Sequence, residues 1–167
     1  MVLLRLLHIV FGVFWAGAIF AMVLFVQPVV RAAGPEGGRF MAQMRERRFF
    51  DVLPVTAALT ILSGFELYRR LSAGFNAEWI RSPYGMSLTV GGLAAIVAFV
   101  IGMFVMRRAT LRVLDLAQEA QRAAEGPARD AVIAQMDPLR TQAMISARWV
   151  AALLLVSVVA MAVARYL

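Results

Sequence analysis

Cysteine is absent from the 167 residues, and so is lysine, since all 17 basic residues are arginine. Without a thiol there is no disulfide, no thiolate metal site, no iron–sulfur cluster and no cysteine nucleophile. Histidine occurs once, as His8, so no two histidine ligands can come from one chain. Charge is scarce as well: Asp, Glu and Arg make up 16% of the residues against 62% hydrophobic ones. A soluble domain carries about 25% charged and about 45–50% apolar residues. That balance excludes an ordinary soluble globular protein, a disordered chain and a nucleic-acid-binding module, despite a net charge of +7. Phosphate-cradling glycine loops, dinucleotide fingerprints, zincin helices and serine triads are also missing.

What is present is apolar and comes in runs. A helix needs about 20 mainly apolar residues to cross the hydrocarbon core of a bilayer. Four stretches meet that length: residues 6–30, interrupted chiefly by His8 and Gln27, then 50–71, 84–106 and 145–166. Each is apolar around its whole circumference, as suits a helix with lipid on one side and neighbours on the other. The first run is too long for the core of a secretory leader and lacks a small-residue cleavage site, so it reads as a retained helix. The expected fold is all-α: one integral domain, residues 1–167, built as a polytopic membrane four-helix bundle. Arginine orients it. Arg31, Arg39, Arg45, Arg47 and Arg48 of the first loop and seven arginines of the third fall on one side, twelve of the 17. The positive-inside rule makes those loops cytoplasmic and puts both termini outside, in the inner (cytoplasmic) membrane of a cell.

The loops differ in character. In the first, Ala33-Gly34-Pro35 is a breaker with Gly37-Gly38 behind it, and residues 39–50 mix arginine with Phe and Met as an interfacial helix does. In the third, residues 107–144, helical spacing continues through Leu111, Leu114 and Ala117. Gly126-Pro127 then ends one helix and opens the next. Val132, Ile133, Met136 and Leu139 form a returning face, with Asp137-Pro138 as a kink before the last span. The reading is a cytoplasmic helical hairpin extending the third and fourth spans, its charges forming a solvated face.

Candidate chemistry centres on His8. An ionisable residue inside a span is costly and marks a functional site by default. Glu66 lies at a similar depth in the second span, where a carboxylate beside the imidazole would fix its tautomer and raise its basicity. The competing reading pairs Glu66 with Arg70 one turn on and leaves His8 to a carbonyl or water. Arg5, Trp79, Arg81 and Tyr84 gather near the same outer surface. The arginines there suit propionates or other anions, or else snorkel to lipid phosphates, and the aromatics suit the interface. Trp15 lies deeper, beside the small face Gly12, Ala16 and Gly17. Met41 with Met44, and Met103 with Met106, have the spacing to offer paired thioethers to Cu(I), or to pack.

Leu7-His8 followed by Trp15-Ala16-Gly17 resembles the opening helix of CopD-like membrane proteins. Ala58-Leu59-Thr60-Ile61-Leu62-Ser63-Gly64 is similar to their second-helix pattern, and Ser82-Pro83-Tyr84-Gly85 resembles their entry to the third. A lysine that commonly follows in that family is replaced here by the run Thr89-Val90-Gly91-Gly92. Bacterial membrane protoporphyrinogen oxidases, which are haem-associated, share the histidine-then-tryptophan opening more distantly. The resemblance implies a four-helix protein that binds or transfers haem (haem b) or copper. His8 is the candidate metal ligand, and Glu66, Trp15, Arg5, Arg81 and Tyr84 are candidate neighbours of the cofactor. The alternative is a non-catalytic accessory or structural subunit of a larger membrane complex, or a homodimer, docked through its small-residue faces. A porphyrin-oxidising enzyme with His8 and Glu66 as a proton relay is a third reading.

Overall fold

A computed structural model describes residues 1–167. Every regular element is helical: α1 (Val2–Ala32), α2 (Pro35–Glu46), α3 (Phe49–Leu71), α4 (Ala77–Arg81), α5 (Pro83–Arg122) and α6 (Pro127–Tyr166). Four of them, α1, α3, α5 and α6, are long and apolar enough to cross a membrane. Each packs on its neighbours in sequence, and α1 closes the ring against α6. At about 1.5 Å per residue, the 40 residues of α5 and of α6 make rods of about 60 Å. That is twice the roughly 30 Å of a hydrocarbon core, so both helices project beyond one end of the bundle.

The centre of the bundle is small and dense. Trp15 and Ile19 of α1, Leu53 and Ala57 of α3, Ala98 of α5, and Val150 and Leu154 of α6 form the buried cluster. Outside it the surface is apolar: Leu3, Val13, Phe25 and Leu62 are each about two-thirds exposed. Water would penalise such a surface at about 25 cal/mol per Å², whereas lipid solvates it. Hydroxyls inside the bundle are satisfied by their own helix. Thr56 donates to Leu53 O, Thr60 to Thr56 O, and Ser63 to Leu59 O, the last at 2.6 Å. This i→i−3/i−4 bonding lets polar side chains sit in an apolar interior.

The connections follow their breakers. Gly126 takes φ +138°, a backbone region that favours glycine, and Pro127 opens α6 behind it. In the projecting hairpin the buried positions are Ala109, Leu114, Leu116, Ala120 and Met136. The face is therefore turned slightly from the expected one: Leu111 and Ala117 are half-buried and Ile133 is exposed. The expected glycine interruption of the first loop is absent. Gly37-Gly38 lies inside α2, and Gly37 is buried because a Cβ there would strike the Val30 backbone. Helix α6 runs unbroken through Pro138. The interfacial segment also stops at Glu46, where Arg48 adopts a left-handed backbone (φ 59°) and turns the chain into α3.

Two stretches depart from α-helical winding. Met22–Val26 in α1 and Gly102–Met106 in α5 are π-helical. Pro28 lies just beyond the first of them and has no N–H to give to the preceding turn. Pro54 likewise lacks an N–H inside α3, which stays α-helical, and leaves Phe50 O without its helical donor. Arg107 of α5 supplies the replacement. Its Nε donates to Phe50 O at 2.9 Å while its Nη2 donates to Asp51 Oδ1 at 2.5 Å.

Candidate functional site

His8 lies between α1 and α3, half-buried, with Nδ1 2.9 Å from Thr60 O. A carbonyl oxygen only accepts, so Nδ1 carries the proton, and in the neutral ring Nε2 keeps its lone pair. No hydrogen bond within the chain engages Nε2. The ring lies flush against α3 because residue 64 is glycine: a Cβ there would stand 2.7 Å from His8 Cε1 and 2.9 Å from Nδ1. One turn further in, Gly12 faces Thr60, whose Cγ2 would be 3.4 Å from an added Cβ. His8, Gly12 and Gly64 therefore make one fitted contact between the first two spanning helices.

The other candidates are distributed differently. Glu66 does not orient His8; as the competing reading expects, it pairs with Arg70, and His8 takes a backbone carbonyl. The Glu66 carboxylate accepts from Arg69 Nε at 2.8 Å and Nη2 at 2.9 Å, and from Arg70 Nε at 2.6 Å. Three guanidinium donors one turn away outcompete a half-buried imidazole, and the carbonyl of Thr60 takes the orienting role instead. Arg5 and Arg81 are exposed and belong to no ion pair within the chain. Arg5 shares a helical face with His8 at i,i+3 spacing. Trp15, 4% exposed, is two turns inward of His8 in the buried cluster.

Tyr84 belongs to an aromatic chain at the ends of α3 and α5. It meets Trp79 edge-on at 5.7 Å, and Trp79 in turn meets Tyr68 at 5.3 Å. Thr89 Oγ1 donates to Gly85 O, so the Tyr68 hydroxyl is the donor in its 2.6 Å bond to Thr89. The stretch Ser82-Pro83-Tyr84-Gly85 has a structural account. Ser82 Oγ caps α5 by accepting from Gly85 N at 3.1 Å, Pro83 occupies the first helical position, and Gly85 leaves room for the carbonyl of Trp79.

A second locale emerges at the opposite end of the bundle. A half-open crevice enclosing about 70 Å³ lies among α1, α2, α3, α5 and α6. Its floor is apolar and aromatic, from Trp15 and Ile19 to Phe50 and Phe99, and Gln27, Arg107 and Thr110 are its polar members. Met22, Met41, Met103 and Met106 line it, so three of the four paired methionines converge there and Met44 does not. Sequence reasoning missed this crevice. Its signals were Gln27 inside the first span and the prolines at 28 and 54, but bringing them together takes the tertiary fold. The small face of α1 also divides: Gly12 and Ala16 face inward, while nothing stands within 4 Å of a Cβ at Gly17.

Helix lengths, the apolar exterior and self-satisfied hydroxyls define a polytopic, all-helical membrane protein. Among known proteins, no family model, no curated protein and no solved structure matches the chain, so the likeness to CopD-like proteins rests on its short motifs alone.

Proposed function

We propose that the chain binds or transfers haem or copper in the inner membrane, with both termini outside and His8 supplying one ligand. The observation that carries this reading is the bond from His8 Nδ1 to Thr60 O. Metal-bound histidines almost always donate their other ring N–H to a carboxylate, carbonyl or water, which fixes ring orientation and leaves the second nitrogen basic. Imidazole suits both haem iron and copper. As His8 is the single histidine, a second strong ligand comes from outside the chain, from another copy or from the protein that delivers or receives the cargo. Arg5, on the same face, and Arg81 are unpaired cations for an anionic substituent such as a propionate. Glu66, committed to its arginines, steadies the end of α3, and Trp15 takes no part at the ligand.

The test is an absorption spectrum with metal analysis on protein gently extracted from its native membrane. A Soret band or stoichiometric copper is expected, lost in His8→Ala with helical circular dichroism unchanged. An unaltered spectrum in that variant removes His8 from the site. The second reading is an accessory subunit, favoured by the open face at Gly17, where another helix can approach closely. A colourless, metal-free protein that co-purifies with other subunits decides for it.

A further inference from the structure

The crevice runs along α1 from Trp15, about 10 Å from His8, to Gln27 at the arginine-rich end, about 28 Å from it, at about 1.5 Å per residue. Two rare local structures meet at its walls. π-helix accounts for well under about 1% of residues in globular proteins, yet both π segments of this chain line the same space. Met22 and Val23 come from one, and Gly102, Met103 and Met106 from the other. Single π-turns occur frequently at functional sites, where they re-aim side chains and widen a helix locally. Pro54 contributes to the wall as well, and the carbonyl it orphans is met by Arg107.

The polar groups define what the space would hold. The charge of Arg107 is balanced by Asp51, and its Nε is spent on Phe50 O, so the mouth carries no unbalanced cation to demand an anion. Gln27, half-buried on the lining, makes no side-chain hydrogen bond within the chain, so its neutral amide is available as a donor, while Arg107 is engaged as above and the Thr110 hydroxyl donates to Met106 O. The remaining walls are aromatic rings and thioethers, which accommodate flat or irregular apolar bodies. From this geometry we infer a binding site for an uncharged, elongated apolar molecule ending in a carbonyl, of the quinone type. Its carbonyl accepts from Gln27, which holds the ring near the mouth, and its chain runs inward toward Trp15, about 18 Å further along α1 at about 1.5 Å per residue. The site is independent of any ligand at His8.

Trp15 provides the readout. In a Trp79→Phe/Trp149→Phe background it is the single tryptophan, and a bound quinone quenches indole fluorescence at short range by electron or energy transfer, without contact. The purified full chain in detergent is titrated with decylubiquinone, a benzoquinone bearing a ten-carbon chain. Saturable quenching is expected. Gly102→Leu should abolish saturation by filling the space, since a Cβ at Gly102 would have only Val150 Cγ2 nearby, at 3.9 Å. Met22→Phe should narrow the site from the opposite wall with the same effect, and thermal melting shows that each variant is folded. Gln27→Leu should raise the half-saturation concentration at least fivefold. Quenching that rises linearly and equally in folded Gly102→Leu and Met22→Phe proteins means partition into the micelle and overturns the proposal. An unshifted Gln27→Leu curve overturns the carbonyl assignment. Solvent extraction with mass spectrometry separates the remaining source: stoichiometric phospholipid, lost in Gly102→Leu, would assign the crevice to an acyl chain instead.

Discussion

A methyl group added at Gly64 has nowhere to go while His8 keeps its place. The 2.7 Å approach to Cε1 is well inside van der Waals contact, so Gly64→Ala must either push the imidazole off Thr60 O or part α1 from α3. Overpacking of this kind costs about 1–3 kcal/mol, and thermal or denaturant unfolding in detergent should register it. The double variant His8→Ala/Gly64→Ala removes the obstacle. Its added cost over His8→Ala should be close to zero, and such coupling within a cycle is the signature of direct contact. Additive losses would mean that the helix pair resists the methyl for reasons unconnected to the ring. The same geometry explains why sequence distance misled at Glu66. Similar depth suggested a partner for His8, but Arg69 and Arg70 stand within one turn of the carboxylate, and both reach it.

Between elements, a proline in one helix is answered by an arginine in another. Pro54 deprives Phe50 O of its donor, and Arg107 fills the gap while pairing with Asp51. Arg107→Met should therefore destabilise by about 1–3 kcal/mol, the cost of leaving a polar group without a partner. In a Pro54→Ala background the loss should shrink, because the restored N–H of residue 54 can bond Phe50 O itself. Equal losses in both backgrounds, measured by unfolding, would show that only the Asp51 pair counts. By contrast, Arg45–Asp115, which ties α2 to α5 at 2.6 Å, has both side chains more than a third exposed. Such pairs are worth about 0–1 kcal/mol, so Arg45→Ala should shift the melting temperature little, and less in high salt. These cases separate what could be read in advance from what could not. Long apolar runs announce spanning helices, and Gly126-Pro127 announces a turn, because each depends only on neighbouring residues. The π segments, the Gln27 crevice and the Arg107–Phe50 bond depend on which helices meet. Neighbouring residues do not carry that information, and the same holds for Gly37, whose glycine reads as a breaker until Val30 is seen beside it.

On the scale of the whole molecule, the asymmetry of arginine coincides with an asymmetry of shape. The end from which α5 and α6 project carries twelve of the 17 arginines, and the crevice with Gln27 and Arg107 opens toward it. Arginines close to span ends resist translocation, whereas acidic residues contribute little, so the bias is counted in positive charges and not in net charge. Arg107, Arg108 and Arg112 follow directly on the apolar part of α5, and Arg140 and Arg148 precede or enter that of α6. Exporting the hairpin would carry all of them across. Insertion with the hairpin retained in the cytoplasm leaves only Arg5, Arg69, Arg70, Arg81 and Arg165 outside, and Arg69 and Arg70 are already bound to Glu66. A phosphatase active only after export, fused behind Leu167, should therefore be active. A fluorescent protein that matures only in the cytoplasm, inserted after Ala124 in the hairpin turn, should be bright. The reverse pair of signals would invert the protein in the membrane, placing His8 on the cytoplasmic side and the crevice on the outer one.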